Sequence, residues 1–390
     1  RSLPPPAWHS EDHRVPRIFM SAGEPSGVNI AATLMRTLKT RRDDLDFAGL
    51  GGEAMIAEGL RQIDNTADTA TMWLWGNVKR VPAHYRALKR CMADWDAHPP
   101  AVMTTVDYQA FHLYMGTRAK KRGIPVVHYV SSQFWARRYY TLETIRRAYS
   151  HVLCIHEFEK KYYDAEGIPA TFVGHPLFER LETRALDGAL VDRIKALKQG
   201  ERPLLGILPG SRGSEIKFAL PVMLNAAKRL QPTPRVVVSA AHPRTRERLA
   251  AMVRESRLDA EIVDYGSGEI LSAVDLSFIT SGSASMEAVY YGCPAVVLYR
   301  CSPLSYFFAH PMVTSYFAQP HLDAGRESVP EFLLTSKRGV RVRRAAQSLL
   351  DDAGAREAKI AAFREMRERL LSGRKPSELA ADVVLGYLDR

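Results

Sequence analysis

Asp107 stands just after the apolar run at 101–106, in the order Thr104-Thr105-Val106-Asp107-Tyr108-Gln109-Ala110-Phe111. A carboxylate at the end of a buried strand can act as general base toward a hydroxyl nucleophile that it reaches at hydrogen-bond distance. Its alternative use is to cap the helix that follows. Three loops of small residues stand elsewhere in the chain, each directly after an apolar run. In Ser21-Ala22-Gly23-Glu24-Pro25-Ser26-Gly27 the residues Gly23, Glu24, Ser26 and Gly27 are candidates for ligand contact, because small residues let backbone approach an anion at a helix N-terminus. In Leu208-Pro209-Gly210-Ser211-Arg212-Gly213-Ser214-Glu215 the backbone around Gly210 and Ser211 can converge on phosphate oxygens. Arg212 adds a permanently charged fork there. The bland reading of that loop is a capped helix start with Arg212 paired to a neighbouring carboxylate. In Thr280-Ser281-Gly282-Ser283-Ala284-Ser285-Met286-Glu287 the group Ser281, Gly282 and Ser283 suits a diphosphate, and Glu287 could accept from two ribose hydroxyls. Two such loops in one half of the chain point to a nucleotide. His128, in Val127-His128-Tyr129-Val130, ends a further apolar run and reads equally as a ligand contact or as a core histidine.

These loops need a scaffold that places them at strand ends. The run at 18–20, the turn at 21–27 and a helical stretch at 29–40 form a strand-loop-helix unit. Similar units follow with strands at 46–50, 101–106, 125–130, 151–155 and 171–173, and helices at 111–122 and 157–166. After a charged helical segment at 187–199 the alternation restarts, with strands at 204–208, 235–240, 261–263, 276–279 and 295–299. Strands alternating with helices imply parallel sheets. The expected fold is therefore α/β, with two Rossmann-like doubly wound domains at 17–185 and 186–345. A flexible tail at 1–16 precedes them and C-terminal helices at 346–390 follow. The expected ligand site is the cleft between the domains, facing the strand carboxyl ends.

Composition narrows the function classes. The 390 residues are 46% hydrophobic and 25% charged, within the globular range, and no apolar run approaches the length of a membrane span. The four cysteines, Cys91, Cys154, Cys293 and Cys301, lie far apart, and no zinc-finger spacing is present. With no apolar leader in the first 16 residues, a reducing cytoplasmic setting is expected. The net charge is +11, and much of it is local: between Lys79 and Arg147 thirteen Lys or Arg face Asp94, Asp96, Asp107 and Glu143, an excess of nine. An anionic partner is implied. No nucleic-acid-binding signature accompanies the segment, so nucleic acid is not expected.

Taken together, Ala22-Gly23-Glu24-Pro25-Ser26-Gly27, Val106-Asp107, His128-Tyr129-Val130-Ser131, Gly174-His175-Pro176, Leu208-Pro209-Gly210-Ser211-Arg212-Gly213, Ser281-Gly282-Ser283-Ala284 to Glu287, and Ala324-Gly325-Arg326-Glu327 resemble the lipid-A-disaccharide synthases. The resemblance runs from about residue 18 to 331. It implies an inverting glycosyltransferase of GT-B architecture that transfers 2,3-diacylglucosamine from its UDP donor to the 6-hydroxyl of 2,3-diacylglucosamine 1-phosphate. The product is the β-1,6 disaccharide 1-phosphate, a lipid A precursor. By this mapping Asp107 deprotonates or orients the acceptor hydroxyl, Arg212 and the 281–283 loop stabilise the UDP leaving group, and Arg326 and Glu327 join the substrate-binding set. No metal or other cofactor is implied, in keeping with the lack of a clear Asp-x-Asp pair, since cationic side chains and helix N-termini can take the electrostatic role. The basic segment together with Met72-Trp73-Leu74-Trp75-Gly76 then reads as a peripheral contact with the inner face of the cytoplasmic membrane. The aromatic run at 306–317 and the C-terminal helices would allow a homodimer.

The chain departs from the family's pattern mainly in its first half. Gly-Asp after the first loop's serine is Gly27-Val28 here. Asp-Ala-Pro-Asp-Phe-Asn reads Asp107-Tyr108-Gln109-Ala110-Phe111-His112, the Pro after Tyr-Val-Ser is Ser132, and the Asn before Leu-x-Ala-Gly-Arg-Glu is His321. Two other readings therefore accompany the synthase: a non-catalytic paralogue that binds UDP-sugar or lipid, and another nucleotide-sugar enzyme of the same fold, such as a 2-epimerase.

Overall fold

The computed structural model describes residues 15–64, 81–131, 141–198, 200–280, 282–300, 320, 328–371 and 373–389. The segment carrying Trp73 and Trp75, the aromatic run at 303–319, Ser281, Ser132, His321, Arg326, Glu327, Cys301 and most of the expected tail lie outside these residues.

The first half builds a seven-stranded parallel sheet from β1 (Arg17–Ala22), β2 (Asp46–Leu50), β3 (Arg61–Asp64), β4 (Val102–Val106), β5 (Val126–Tyr129), β6 (His151–Cys154) and β7 (Ala170–Phe172), in the order 3-2-1-4-5-6-7. Its crossovers include α1 (Pro25–Arg41), α2 (Glu53–Ala57), α3 (Val81–Ala97), α4 (Gln109–Lys120), α5 (Leu142–Ala148) and α6 (Glu157–Ala165). The central strands β1 and β4 are buried along their whole length. Helices cover both faces of such a sheet, so its strands read as continuous apolar runs rather than alternating ones. One face packs Ile18, Met20, Val102 and Val106 under α1, and the other packs Phe19, Met103 and Val126 against Leu88, Cys91 and Trp95 of α3.

Two helices, α7 (Pro176–Thr183) and α8 (Gly188–Ala196), lead into the second half. Its six-stranded parallel sheet uses β8 (Leu204–Leu208), β9 (Arg235–Ala240), β10 (Ala260–Asp264), β11 (Leu276–Thr280), β12 (Ala295–Arg300) and β13 (Glu331–Leu334), in the order 10-9-8-11-12-13. Its helices are α9 (Gly213–Ala227), α10 (Pro243–Ser256), α11 (Ser267–Ala273), α12 (Ser283–Tyr291) and α13 (Val340–Asp351). The expected pair of doubly wound Rossmann-like sheets is thus present. Each sheet reverses its strand order once, between β1 and β4 in the first and between β8 and β11 in the second. The four loops picked out by their chemistry are the four that leave these strands, where open α/β sheets bind ligands.

The last helices, α14 (Ala353–Leu371) and α15 (Pro376–Leu385), tie the halves together. Phe363, Met366 and Leu370 of α14 pack with Phe178 of α7 and Met286 of α12, whereas Ala380, Ala381 and Val384 of α15 join the α1 side of the first sheet. The two chain crossings also hydrogen-bond to each other. Buried Glu179 accepts from the Ser377 amide at 2.9 Å and from its hydroxyl at 2.5 Å, and the His175 amide donates to the Leu370 carbonyl at 3.2 Å. A carboxylate against the opening turn of α15 satisfies amides that have no partner within the helix and complements its dipole. Arg41 adds an ion pair to Asp382. Burial raises the thiols of Cys91, Cys154 and Cys293, the last to about 12, which suits side chains that fill core rather than react.

Candidate active site

In the first sheet the structure brings the opening loop and Asp107 together. Glu24 caps α1 with extended backbone, so the helix starts at Pro25, four residues before the expected start. Gly23 and Gly27 are small for steric reasons that involve the Asp107 loop. A methyl group at Gly23 would run into the Tyr108 ring, and one at Gly27 would lie 3.3 Å from the Val106 carbonyl and 3.5 Å from the Asp107 Cβ. Asp107 therefore stands beside the first turn of α1. Ser26 is exposed at that turn.

Asp107 and Tyr108 both have left-handed backbone, with φ of 54° and 52°. For residues with a Cβ this conformation costs roughly 1–2 kcal/mol each. Such strain survives only where the surroundings over-determine it, and it gathers at functional sites. The Asp107 amide donates to the Tyr129 carbonyl at 3.0 Å, its carbonyl accepts from His112 Nδ1 at 2.5 Å, and the His84 ring meets the Tyr108 hydroxyl at 2.5 Å. The capping role weighed for Asp107 falls instead to Tyr108, which precedes α4 without a side-chain cap bond.

His128, which the sequence offers as a ligand contact or as a core histidine, lies within the first sheet. It is fully buried in β5, its Nδ1 lies 2.9 Å from Thr105 Oγ1, and its ring stacks on Tyr149 with centroids 4.2 Å apart. Burial, reinforced by neighbouring His112, holds it well below the ordinary imidazole range, so it is neutral. Its placement is that of a core residue, with Nε2 buried and without a hydrogen-bond partner among the described residues.

In the second sheet Gly210 follows β8 with φ of 94°, a conformation open to glycine at little cost. Glu215, in the first turn of α9, fills the space beside it. The Arg212 amide donates to Glu215 Oε2 at 3.1 Å, and Arg212 Nη1 donates to Glu215 Oε1 at 2.9 Å. The carboxylate pairing considered for Arg212 is therefore present. The Arg212 side chain is nevertheless 51% exposed, and Ser211 beside it is exposed as well. An exposed ion pair of this kind contributes little stability and can exchange its carboxylate for a phosphate oxygen at small cost.

After β11, Gly282 precedes α12, Ser283 is exposed, and the Ser285 hydroxyl donates back to the Gly282 carbonyl at 2.7 Å. Glu287 is 9% exposed and accepts from the Ser267 hydroxyl at 2.8 Å. One of its oxygens is thus committed within the protein, which reduces what it can offer to a ribose. Sequence reasoning missed Ser267 because it lies 20 residues upstream and no local spacing links the two. It also missed Thr280, whose buried hydroxyl ends β11 with no hydrogen-bond partner among the described residues.

Two doubly wound sheets, each with glycine- and serine-rich loops at its switch point, form a GT-B-type architecture. A family model described as lipid-A-disaccharide synthetase matches residues 18–382, and the chain belongs to that family. The lipid-A-disaccharide synthase of Azotobacter vinelandii is 35% identical over 382 residues, covering 96% of this chain and 98% of that protein. That of Myxococcus xanthus is 33% identical, covering 91% and 93%. Among solved structures, the glycotransferase of kitacinnamycin superposes with a TM-score of 0.64 at 16% identity, over 96% of this chain and 99% of that one. The UDP-GlcNAc 2-epimerase from Neisseria meningitidis bound to UDP-GlcNAc gives 0.58 at 13%, over 95% and 99%. These two likenesses are of fold.

Proposed function

We infer that the chain is a hexosyltransferase that joins UDP-2,3-diacylglucosamine to 2,3-diacylglucosamine 1-phosphate and releases UDP. Family membership over almost the whole chain supports this reading over a 2-epimerase, which shares only the fold. The observation that carries catalysis rather than mere binding is the strained, doubly anchored backbone of Asp107. The acceptor's 6-oxygen attacks the anomeric carbon of the donor, its proton passes to the Asp107 carboxylate, and the bond from that carbon to the diphosphate oxygen breaks. Negative charge then develops on UDP, where Arg212 and the amides around Gly210, Ser211, Gly282 and Ser283 stabilise it. Glu287 holds the ribose through its remaining capacity. No metal is required, because these groups supply the positive potential. The reaction is tested by mass-spectrometric detection of the disaccharide 1-phosphate in the presence of EDTA. Product is expected, and its absence with intact donor would contradict the assignment.

No helix among the described residues is long and apolar enough to cross a membrane. We propose that the protein works in the cytoplasm and meets its acylated substrates at the inner face of the cytoplasmic membrane through α3 and α4. Tyr85 and Tyr114 are 51% and 46% exposed, with Lys89 and Arg118 over their rings. Amphipathic aromatics beside cations suit an anionic lipid interface. Not every charge in the segment is available, since Arg90 pairs with Asp64, Arg122 with Asp96, and Arg146 and Arg147 with Glu143. Co-sedimentation with phosphatidylglycerol vesicles is expected, falling at least about fivefold in a Lys89→Glu, Arg118→Glu variant, given about 1 kcal/mol per basic residue at such a surface. Equal partition of both proteins would contradict this face.

A further inference from the structure

Four positions in the segment after β4, Tyr108, Gln109, Ala110 and His112, depart from the family's residues, and two of them, Tyr108 and His112, belong to one hydrogen-bonded unit. His112 lies in the first turn of α4 and is fully buried. Its Nδ1 faces the Asp107 carbonyl, which can only accept, so Nδ1 carries the proton. In a neutral imidazole Nε2 is then an acceptor, and it takes the hydroxyl proton of Ser21 at 2.8 Å. Burial lowers His112 to about 4, which keeps this tautomer neutral at ordinary pH. Ser21 sits in β1, paired in register with Thr105 of β4. One ring therefore joins β1 to the turn that follows β4. On the other side of Asp107, the Tyr108 ring covers Gly23 and stands 5.8 Å from the rings of His84 and His112.

We propose that His112, anchored by Ser21, is a positioning residue that fixes the backbone of Asp107 and thereby aims its carboxylate at the acceptor hydroxyl. The Asp107 amide is held by β5 and its carbonyl by His112, so the left-handed turn cannot relax without breaking one of these bonds. The departures at 108 and 112 then form a replacement for the family's residues rather than a loss of them. An asparagine at 112 places its amide nitrogen the same number of bonds from Cα as Nδ1 of the histidine. It can make the bond to Asp107 but does not reach Ser21. The inference rests on the reading of Asp107 as the base.

The test measures kcat and both KM values for acceptor-dependent UDP release in His112→Ala, His112→Asn, Ser21→Ala, Asp107→Asn and the Asp107→Asn, His112→Ala double variant. His112→Ala is expected to lower kcat about 10- to 100-fold with donor KM within about twofold, the effect of a small misplacement of a reacting group. His112→Asn should recover most of the loss and stand within about tenfold of the unmodified protein, as Ser21→Ala does, since both keep the bond to Asp107 and lack the one at Ser21. The double variant should be no slower than Asp107→Asn, because His112 acts through that carboxylate. Unchanged kcat in His112→Ala, or a further tenfold loss in the double variant, would overturn the proposal. If His112→Ala does not fold, Ser21→Ala decides: a roughly 3- to 10-fold fall in kcat alone is expected, and none would overturn it. Full turnover in Asp107→Asn is a separate result, which removes the base assignment itself.

Discussion

Asp107→Asn should lower kcat by about 10² to 10⁴, the usual contribution of a positioned general base, with donor KM within about threefold. Asparagine keeps the shape of the side chain and its ability to hydrogen-bond, and it tolerates the left-handed backbone that position 107 adopts, with φ of 54°. The amide bond to Tyr129 and the carbonyl bond to His112 do not involve the side chain, so the loop should hold its form. What is lost is the capacity to take the proton. Steady-state UDP release at saturating donor and acceptor measures the effect. A fall of less than about tenfold would place the base elsewhere, since removal of a working base is costlier than that.

The second large effect is expected at Arg212. Replacement by alanine should lower kcat about 10²- to 10³-fold, as removal of a single preorganised donor to developing charge does elsewhere. Binding of UDP, read by calorimetry, should weaken in parallel. Arg212→Lys should recover only part of the loss, because a lysine keeps the charge but not the two parallel N–H groups that match a phosphate edge. The Glu215 carboxylate, which pairs with Arg212 at 2.9 Å, is then a placeholder for the diphosphate. Stability should change little, since the pair is exposed and its energetic weight small. Comparable activity in Arg212→Ala would remove the phosphate-clamp role and leave the ion pair as a capping feature.

The strands at the centre of both sheets were legible because burial on two faces leaves an unbroken apolar signature, as in Ile18, Phe19 and Met20 or Val236, Val237 and Val238. The two strands that the pattern did not predict, β3 and β13, are both at sheet edges and are only partly buried. An edge strand packs one side against its neighbour and leaves the other to solvent, so Arg61-Gln62-Ile63-Asp64 carries no apolar run. The site divides in the same way. Loops that bend at strand ends announce themselves through glycine and serine, whereas the partners that hold them are distant in sequence. Ser267 for Glu287, Ser21 for His112 and Tyr149 for His128 are examples. His128 and His112 are both fully buried, and their bonding separates them. One fills the core of the sheet, and the other holds the turn that carries Asp107.

The most direct test of the account is UDP release from UDP-2,3-diacylglucosamine by the purified protein, with and without 2,3-diacylglucosamine 1-phosphate. Release that requires the acceptor is the predicted result. Saturable donor binding with no release in the presence of acceptor would contradict it and point to a family member that binds without turnover.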